Sequence, residues 1–141
     1  MFCDSSAMVP LVFPENRSEE MVHLARRDGL VIWWGTSVEC HAAAFRRHRE
    51  GKVTLQDVRA GLKRLRDLVG EATSVNPSDT VRSRAEQLTS RYPLRAADAL
   101  QLAAALTCCE DEPWNEVFVC LDRRLREAAR QAGFAVLPED E

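Results

Sequence analysis

The sequence predicts an α/β fold, a three-layer α/β/α sandwich around a central, mostly parallel sheet of five strands. Two observations predict it. Short apolar runs alternate with helical patterns along the chain, the signature of a parallel sheet covered on both faces. Acids also fall where such a sheet gathers ligands: Asp4 follows the apolar start Met1 to Cys3, Asp122 follows the strand-like Val117 to Leu121, and Glu39 opens a helix just after Leu30 to Trp34. In an open parallel sheet the loops after the strands converge where strand order reverses, and ligands bind there.

Each element has its own signal. Strands are expected from the N-terminus to Cys3, at Leu30 to Trp34, near Ala72 to Val75, at Val117 to Leu121 and at Ala135 to Leu137. Asn16 or Ser18 caps a helix through Arg27, Thr36 or Ser37 one through Arg49, and Thr54 one through Val69, each with a carboxylate in its first turn. Ser78 starts another through about Arg91, and Pro93 closes it. No repeat, low-complexity tract or linker divides the chain, so residues 1–141 read as a single domain, and Pro138 to Glu141 read as a solvated tail. A chain of this length buries roughly 68% of its unfolded surface, enough for one core without staples.

Composition narrows the function classes. At 45% hydrophobic and 29% charged the chain reads as an ordinary soluble globule, and its net charge of −3 argues against binding nucleic acid by bulk attraction, leaving that to a local basic strip. Arginine carries nearly all the positive charge, which suits bidentate contacts to phosphate or carboxylate. Cys3, Cys40, Cys108, Cys109 and Cys120 form no Cys-x-x-Cys pair and read as reduced structural thiols; His23, His41 and His48 lack zinc spacing with them. No signal peptide is visible, and the longest apolar runs fall far below the roughly 18 residues that cross a bilayer. A cytoplasmic, reducing location and no membrane contact are expected.

Asp98 carries the chemistry furthest. It stands in the otherwise almost wholly apolar stretch from Ala96 to Leu106, where an ionised group must be paired, hydrogen-bonded or bound to a metal. With Asp4, Glu39 and Asp122 it suggests a hydrolytic metal site. Each acid alone has another reading: Asp4 and Asp122 can cap the helices that follow, Glu39 lies three residues after Thr36 as in a capping box, and Asp98 can favour the positive end of its helix dipole. Four separate caps need no common location, whereas a divalent cation needs several oxygen ligands in one place.

The residues then meet a resemblance. Cys3-Asp4-Ser5-Ser6-Ala7, Ser37-Val38-Glu39-Cys40, the stretch from Leu94 to Leu106 around Asp98, and the stretch from Val119 to Ala129 around Asp122 resemble, in order and spacing, the motifs of PIN-domain ribonucleases, and specifically of VapC toxins from type II toxin-antitoxin pairs. Cys120 departs from the pattern, standing where the family often has threonine or serine, and a thiol is a poorer hydrogen-bond partner for a carboxylate.

The resemblance implies a PIN-like fold and an endoribonuclease that hydrolyses RNA with magnesium or manganese. It makes Asp4, Asp98, Asp122 and Glu39 the catalytic and metal-binding set, with Glu39 either a ligand or the group that positions the attacking water. Ser6 and Gln101 are candidates to orient these acids, and Arg95, Arg123 and Arg124 to grip phosphates beside them. Arg46 to Arg49 with Lys52 would extend such a path, or form only a solvated helix face. Of Trp33 and Trp34, adjacent in a strand and so facing opposite ways, at least one belongs to the core. A cognate antitoxin, covering an apolar patch around Met21, Leu24, Val58, Leu62 and Leu65, and a homodimer are the implied partners. The alternatives are a housekeeping PIN nuclease in RNA processing and a noncatalytic PIN-like binding scaffold. A receiver domain fits poorly, because no acid stands near the end of the third strand.

Overall fold

A computed structural model, which describes residues 1–13, 19, 21–23 and 29–139, contains one sheet of five strands: β1 (Phe2–Cys3), β2 (Val31–Trp33), β3 (Thr73–Val75), β4 (Val117–Val119) and β5 (Ala135–Leu137). All pairings are parallel and the order is β3-β2-β1-β4-β5, so strand order reverses at β1. Strands of two or three residues hold because both faces are covered. Phe2, Trp33, Phe118 and Val136 enter one core, and Cys3, Ile32 and Val119 the other, as the alternation of neighbouring side chains requires. Phe2 and Phe118 stack at 5.3 Å between ring centroids across the β1–β4 pair.

The helices form the outer layers. Helices α1 (Ser5–Val12), α2 (Thr36–Arg49) and α3 (Leu55–Glu71) pack together on one face, burying Ala7, Met8, Cys40, Ala44, Val58 and Leu65. Helices α4 (Asp79–Arg91), α5 (Ala96–Cys108) and α6 (Arg123–Ala132) cover the other, with Val81, Leu88, Leu102, Leu125 and Ala129 inside. Thr54 and Asp57 close a reciprocal capping box at the start of α3, and Ser78 caps α4 by accepting from Val81 N. Gly133, at φ 115°, supplies the left-handed residue that ends α6.

The departures from expectation have local causes. Strand β4 stops at Val119 because the Leu121 and Asp122 amides turn to the Ser6 hydroxyl. Gly35, not Thr36 or Ser37, is the N-cap of α2, and it makes no side-chain cap bond; Thr36 is drawn inside and fully buried. The capping-box reading of Glu39 is thereby excluded. Pro138 is not tail: it is buried, and its carbonyl accepts from Arg126. The sequence pattern does not announce α1, an eight-residue helix with Pro10 inside it. Of the helix expected from Asn16 or Ser18 to Arg27, Met21 to His23 are helical, while Asn16, Ser18, Leu24 and Arg27 lie outside the described residues, as do residues 140–141.

Candidate active site

The four acids meet at the carboxyl edge of the sheet. Asp4 directly follows β1, and its amide donates to Val119 O of β4 at 3.1 Å, which places it at the switch point. A cleft of about 430 Å³ there is lined by Asp4, Glu39, Asp98 and Asp122, with Ser5 and Ser6 beside them. Each acid comes from a different part of the chain: the end of β1, the first turn of α2, the first turn of α5, and the junction of β4 with α6.

Two of the acids also serve the fold. Asp4 is the N-cap of α1 and accepts from Ser6 N at 3.2 Å. Asp122 is the N-cap of α6 and accepts from Leu125 N at 2.9 Å. The cap and the shared cleft are therefore both true of them. Ser6 links the two: its hydroxyl donates to Asp4 Oδ1 at 2.7 Å and accepts from the Leu121 and Asp122 amides at 2.8 and 3.2 Å. Cys120 shares in this orientation: its sulfur lies 3.7 Å from the Ser6 hydroxyl, and its side chain also hydrogen-bonds Asp4.

Glu39 and Gln101 form a second unit. Gln101, completely buried in α5, donates from Nε2 to Glu39 Oε2 at 2.6 Å and to Thr36 Oγ1 at 3.0 Å, while among the described residues its own Oε1 has no partner. Asp98, half-buried one helical turn earlier, stands in the first turn of α5, where its carboxylate accepts from the backbone of the N-cap residue Arg95.

The electrostatics couple all four acids. Burial raises the Asp4 carboxyl to about 6 against the hydrogen bonds from Ser6, and the charge of Asp98 adds to the rise. Burial likewise raises Glu39 to about 7, opposed by the Gln101 bond and reinforced by the charges of Asp4 and Asp98. Asp98 is raised by burial and then by Asp122, while Arg95 and Arg124 pull it down.

The arginines divide unexpectedly. Arg95, Arg123 and Arg124 are exposed and do not line the cleft, although Arg95 and Arg124 lie near enough to act on Asp98. Arg46 and Arg47 of α2 line it instead. Arg126, absent from the sequence-based candidates, is buried and donates to Cys120 O and Pro138 O, both at 2.6 Å, so it fixes the backbone that leads into Asp122. Its one signal in the sequence is its place beside Leu125 on the apolar side of α6. Trp33 is core and Trp34 is 59% exposed. Met21, Val58 and Leu65 are core as well; a separate cleft of about 550 Å³ is lined by Leu11, Val22, Leu30 and Leu68.

No protein-family model matches the sequence, and no curated protein does. Solved structures do match the fold. PAE2754 from Pyrobaculum aerophilum superposes with a TM-score of 0.67 at 18% identity, covering 96% of this chain and 87% of that one. FitAcB from Neisseria gonorrhoeae gives 0.65 at 15% identity, covering 97% of this chain and 96% of that one. The fold is PIN-like. At such identities the likeness extends to the fold alone, and the reading of the cleft rests on its own residues.

Proposed function

We propose that the chain is a magnesium- or manganese-dependent endoribonuclease of the toxin type, which hydrolyses RNA phosphodiester bonds and is held inactive by a cognate antitoxin. The observation that carries this reading is the arrival of four carboxylates from four separate segments at one cleft on the switch point. A scaffold that only binds RNA gains nothing from acids that repel phosphate.

The donor set fits a hard cation, being entirely carboxylate oxygen. Among the described residues no three His, Cys, Asp or Glu side chains form a ready-made metal-binding group. Asp4, Asp98 and Asp122 are assigned as the cation's holders, direct or through water, with Glu39 as the fourth acid. Such a cation would neutralise charge on the scissile phosphate and lower the pKa of a nearby water.

The remaining work falls to the chain. Ser6 holds Asp4 by Oδ1, so this carboxylate meets its cation without rearranging. Glu39, which faces the cleft beside the other acids, is assigned to hold the cation or to position the attacking water. Gln101 keeps it aimed by holding Oε2. The cleft lined by Leu11, Val22, Leu30 and Leu68, with Arg64, Asp67 and Glu71 among them, fits an amphipathic antitoxin segment that brings both apolar and charged groups. Failure of a small DNA-binding protein encoded beside this gene to block cleavage would favour a housekeeping nuclease. Light scattering that gave the monomer mass would remove the proposed homodimer.

The decisive experiment is cleavage of RNA by the purified chain. Activity should require magnesium, disappear in EDTA, and fall at least about a thousandfold in Asp98→Asn with circular dichroism unchanged, because the amide keeps the shape and loses the charge. A variant that cuts at near wild-type rate, or activity indifferent to EDTA, would sink the assignment.

A further inference from the structure

Three of the five cysteines are packed away: Cys3, Cys40 and Cys120 are at most 2% exposed. Cys108 and Cys109 differ. They are chain neighbours at the end of α5, Cys108 exposed and Cys109 half-buried, and both are free thiols. Both line a cleft of about 100 Å³ at the amino edge of the sheet, where Phe2, Val31 and Val117 begin β1, β2 and β4. The acids lie at the other edge, and α5 puts roughly 15 Å between Asp98 and Cys108.

The pair is held in place. Beyond it Glu110 and Asp111 take positive φ, 54° and 62°, and turn the chain back on the helix. Asp111 N then donates to Leu106 O at 2.9 Å and Glu112 N to Cys109 O at 3.0 Å. Arg84 of α4 clamps this turn, donating to Thr107 Oγ1 at 2.8 Å and to the Asp111 carboxylate. Two thiols on a fixed turn lose little freedom when one ligand takes both.

The chemistry of the pair narrows what it can take. Zinc wants three or four protein donors, and among the described residues no three His, Cys, Asp or Glu side chains form a metal-binding group. Burial first, then the charge of Glu116 in the same cleft, hold the Cys108 thiol above its usual range, against the amino group of Met1. Burial raises Cys109 too, against a bond from the Glu112 backbone, and Glu116 adds to the rise. The pair therefore suits a ligand that reacts with neutral thiols. A disulfide within the pair is strained, because adjacent Cα atoms stand about 3.8 Å apart, short of the roughly 4.4–6.8 Å of an ordinary disulfide. One atom set between the two sulfurs lengthens the bridge and relieves that strain.

We propose that Cys108 and Cys109 form a dithiol site for a trivalent arsenical with two exchangeable oxygens. Two As–O bonds break and two As–S bonds form. Each thiol proton leaves with a hydroxyl as water, and arsenic stays trivalent, so no oxidant or reductant is consumed. The site owes nothing to the nuclease reading.

Treatment of the reduced, folded chain with phenylarsine oxide, desalting into excess glutathione and native mass spectrometry test it. Wild type should keep one phenylarsenic group, with the loss of two hydrogens, because the second thiol acts at the effective concentration of a neighbour, and should yield it to dithiothreitol. Cys108→Ser and Cys109→Ala should each lower retention about a hundredfold or more, with circular dichroism unchanged. Should Cys109→Ala disturb the turn, Cys108→Ser, at an exposed position, still decides the matter. Wild-type retention by Cys108→Ser, or loss of the group from wild type in glutathione alone, overturns the site. Ready loss of two hydrogens on mild oxidation, with no arsenical retained afterwards in reducing buffer, would assign the pair to a vicinal disulfide and overturn it too.

Discussion

The acid cleft has two walls of different construction. On the β1–β4 wall Asp4 and Asp122 begin helices, and Ser6 ties them to backbone amides, so the same bonds hold both fold and site. On the α2–α5 wall Glu39 is held by side chains, Gln101 and Ser5, and caps nothing. Gln101 is buried with one amide oxygen unsatisfied, a cost that an apolar residue would avoid. The first wall can be explained by stability alone; the second cannot. The α2–α5 wall is therefore the better witness to chemistry, and perturbing each wall should separate the two roles.

The largest effect on stability is expected from the pH dependence of the first wall. Asp4 has a folded pKa of about 6, above its value in the unfolded chain, so between the two the native state binds more protons. Its contribution is present at low pH and is lost as pH rises through about 4 to about 6. Asp4→Asn does not titrate. In EDTA, wild type should lose about 3 kcal/mol relative to Asp4→Asn between pH ~4 and pH ~7, measured by urea melts at each pH. Magnesium, binding the ionised form, should reverse the trend. A stability difference flat with pH would mean that Asp4 is ionised throughout and acts only as a cap.

Next in size is Ser6→Ala. It strands the Leu121 amide and removes the donor to Asp4, and should cost about 2 kcal/mol, a fall in Tm of roughly 5–8 °C, together with much of the activity. Calorimetry and cleavage rates on one preparation check it. If Tm holds while activity falls, the two walls do not differ in the way described.

What the sequence disclosed follows the same division. The five strands were legible because a parallel sheet covered on both faces writes itself as short apolar runs, and the acids because a carboxylate after such a run, or inside Ala96 to Leu106, has few reasons to be there. Helix α1 was not, since eight residues buried on nearly every side leave no helical periodicity and Pro10 argues against one. The Glu39–Gln101 bond joins residues 62 positions apart, and Arg126 finds its carbonyl at Pro138 only after β5 has come alongside β4. That Arg46 and Arg47 line the cleft, in place of Arg123 and Arg124, depends on how α2 is rotated against the sheet, and no local pattern records that rotation.

The smallest stability effect is expected on the second wall, and it sharpens the comparison most. Gln101→Met fills the same volume, removes the unsatisfied oxygen and gives up the bonds to Thr36 and Glu39, so gains and losses should cancel to within about 1 kcal/mol. Its chemistry should suffer even so. The Gln101 bond holds the Glu39 pKa down against burial, so without it that pKa rises further above the usual carboxylate range. If Glu39 is the base, kcat should fall about tenfold or more at neutral pH, and the acid limb of the kcat profile should move to higher pH, while KM for RNA changes little. Loss of packing alone would lower kcat without moving that limb. A variant whose Tm falls as far as that of Ser6→Ala, with the limb unmoved, would make Gln101 part of the scaffold and erase the distinction between the walls.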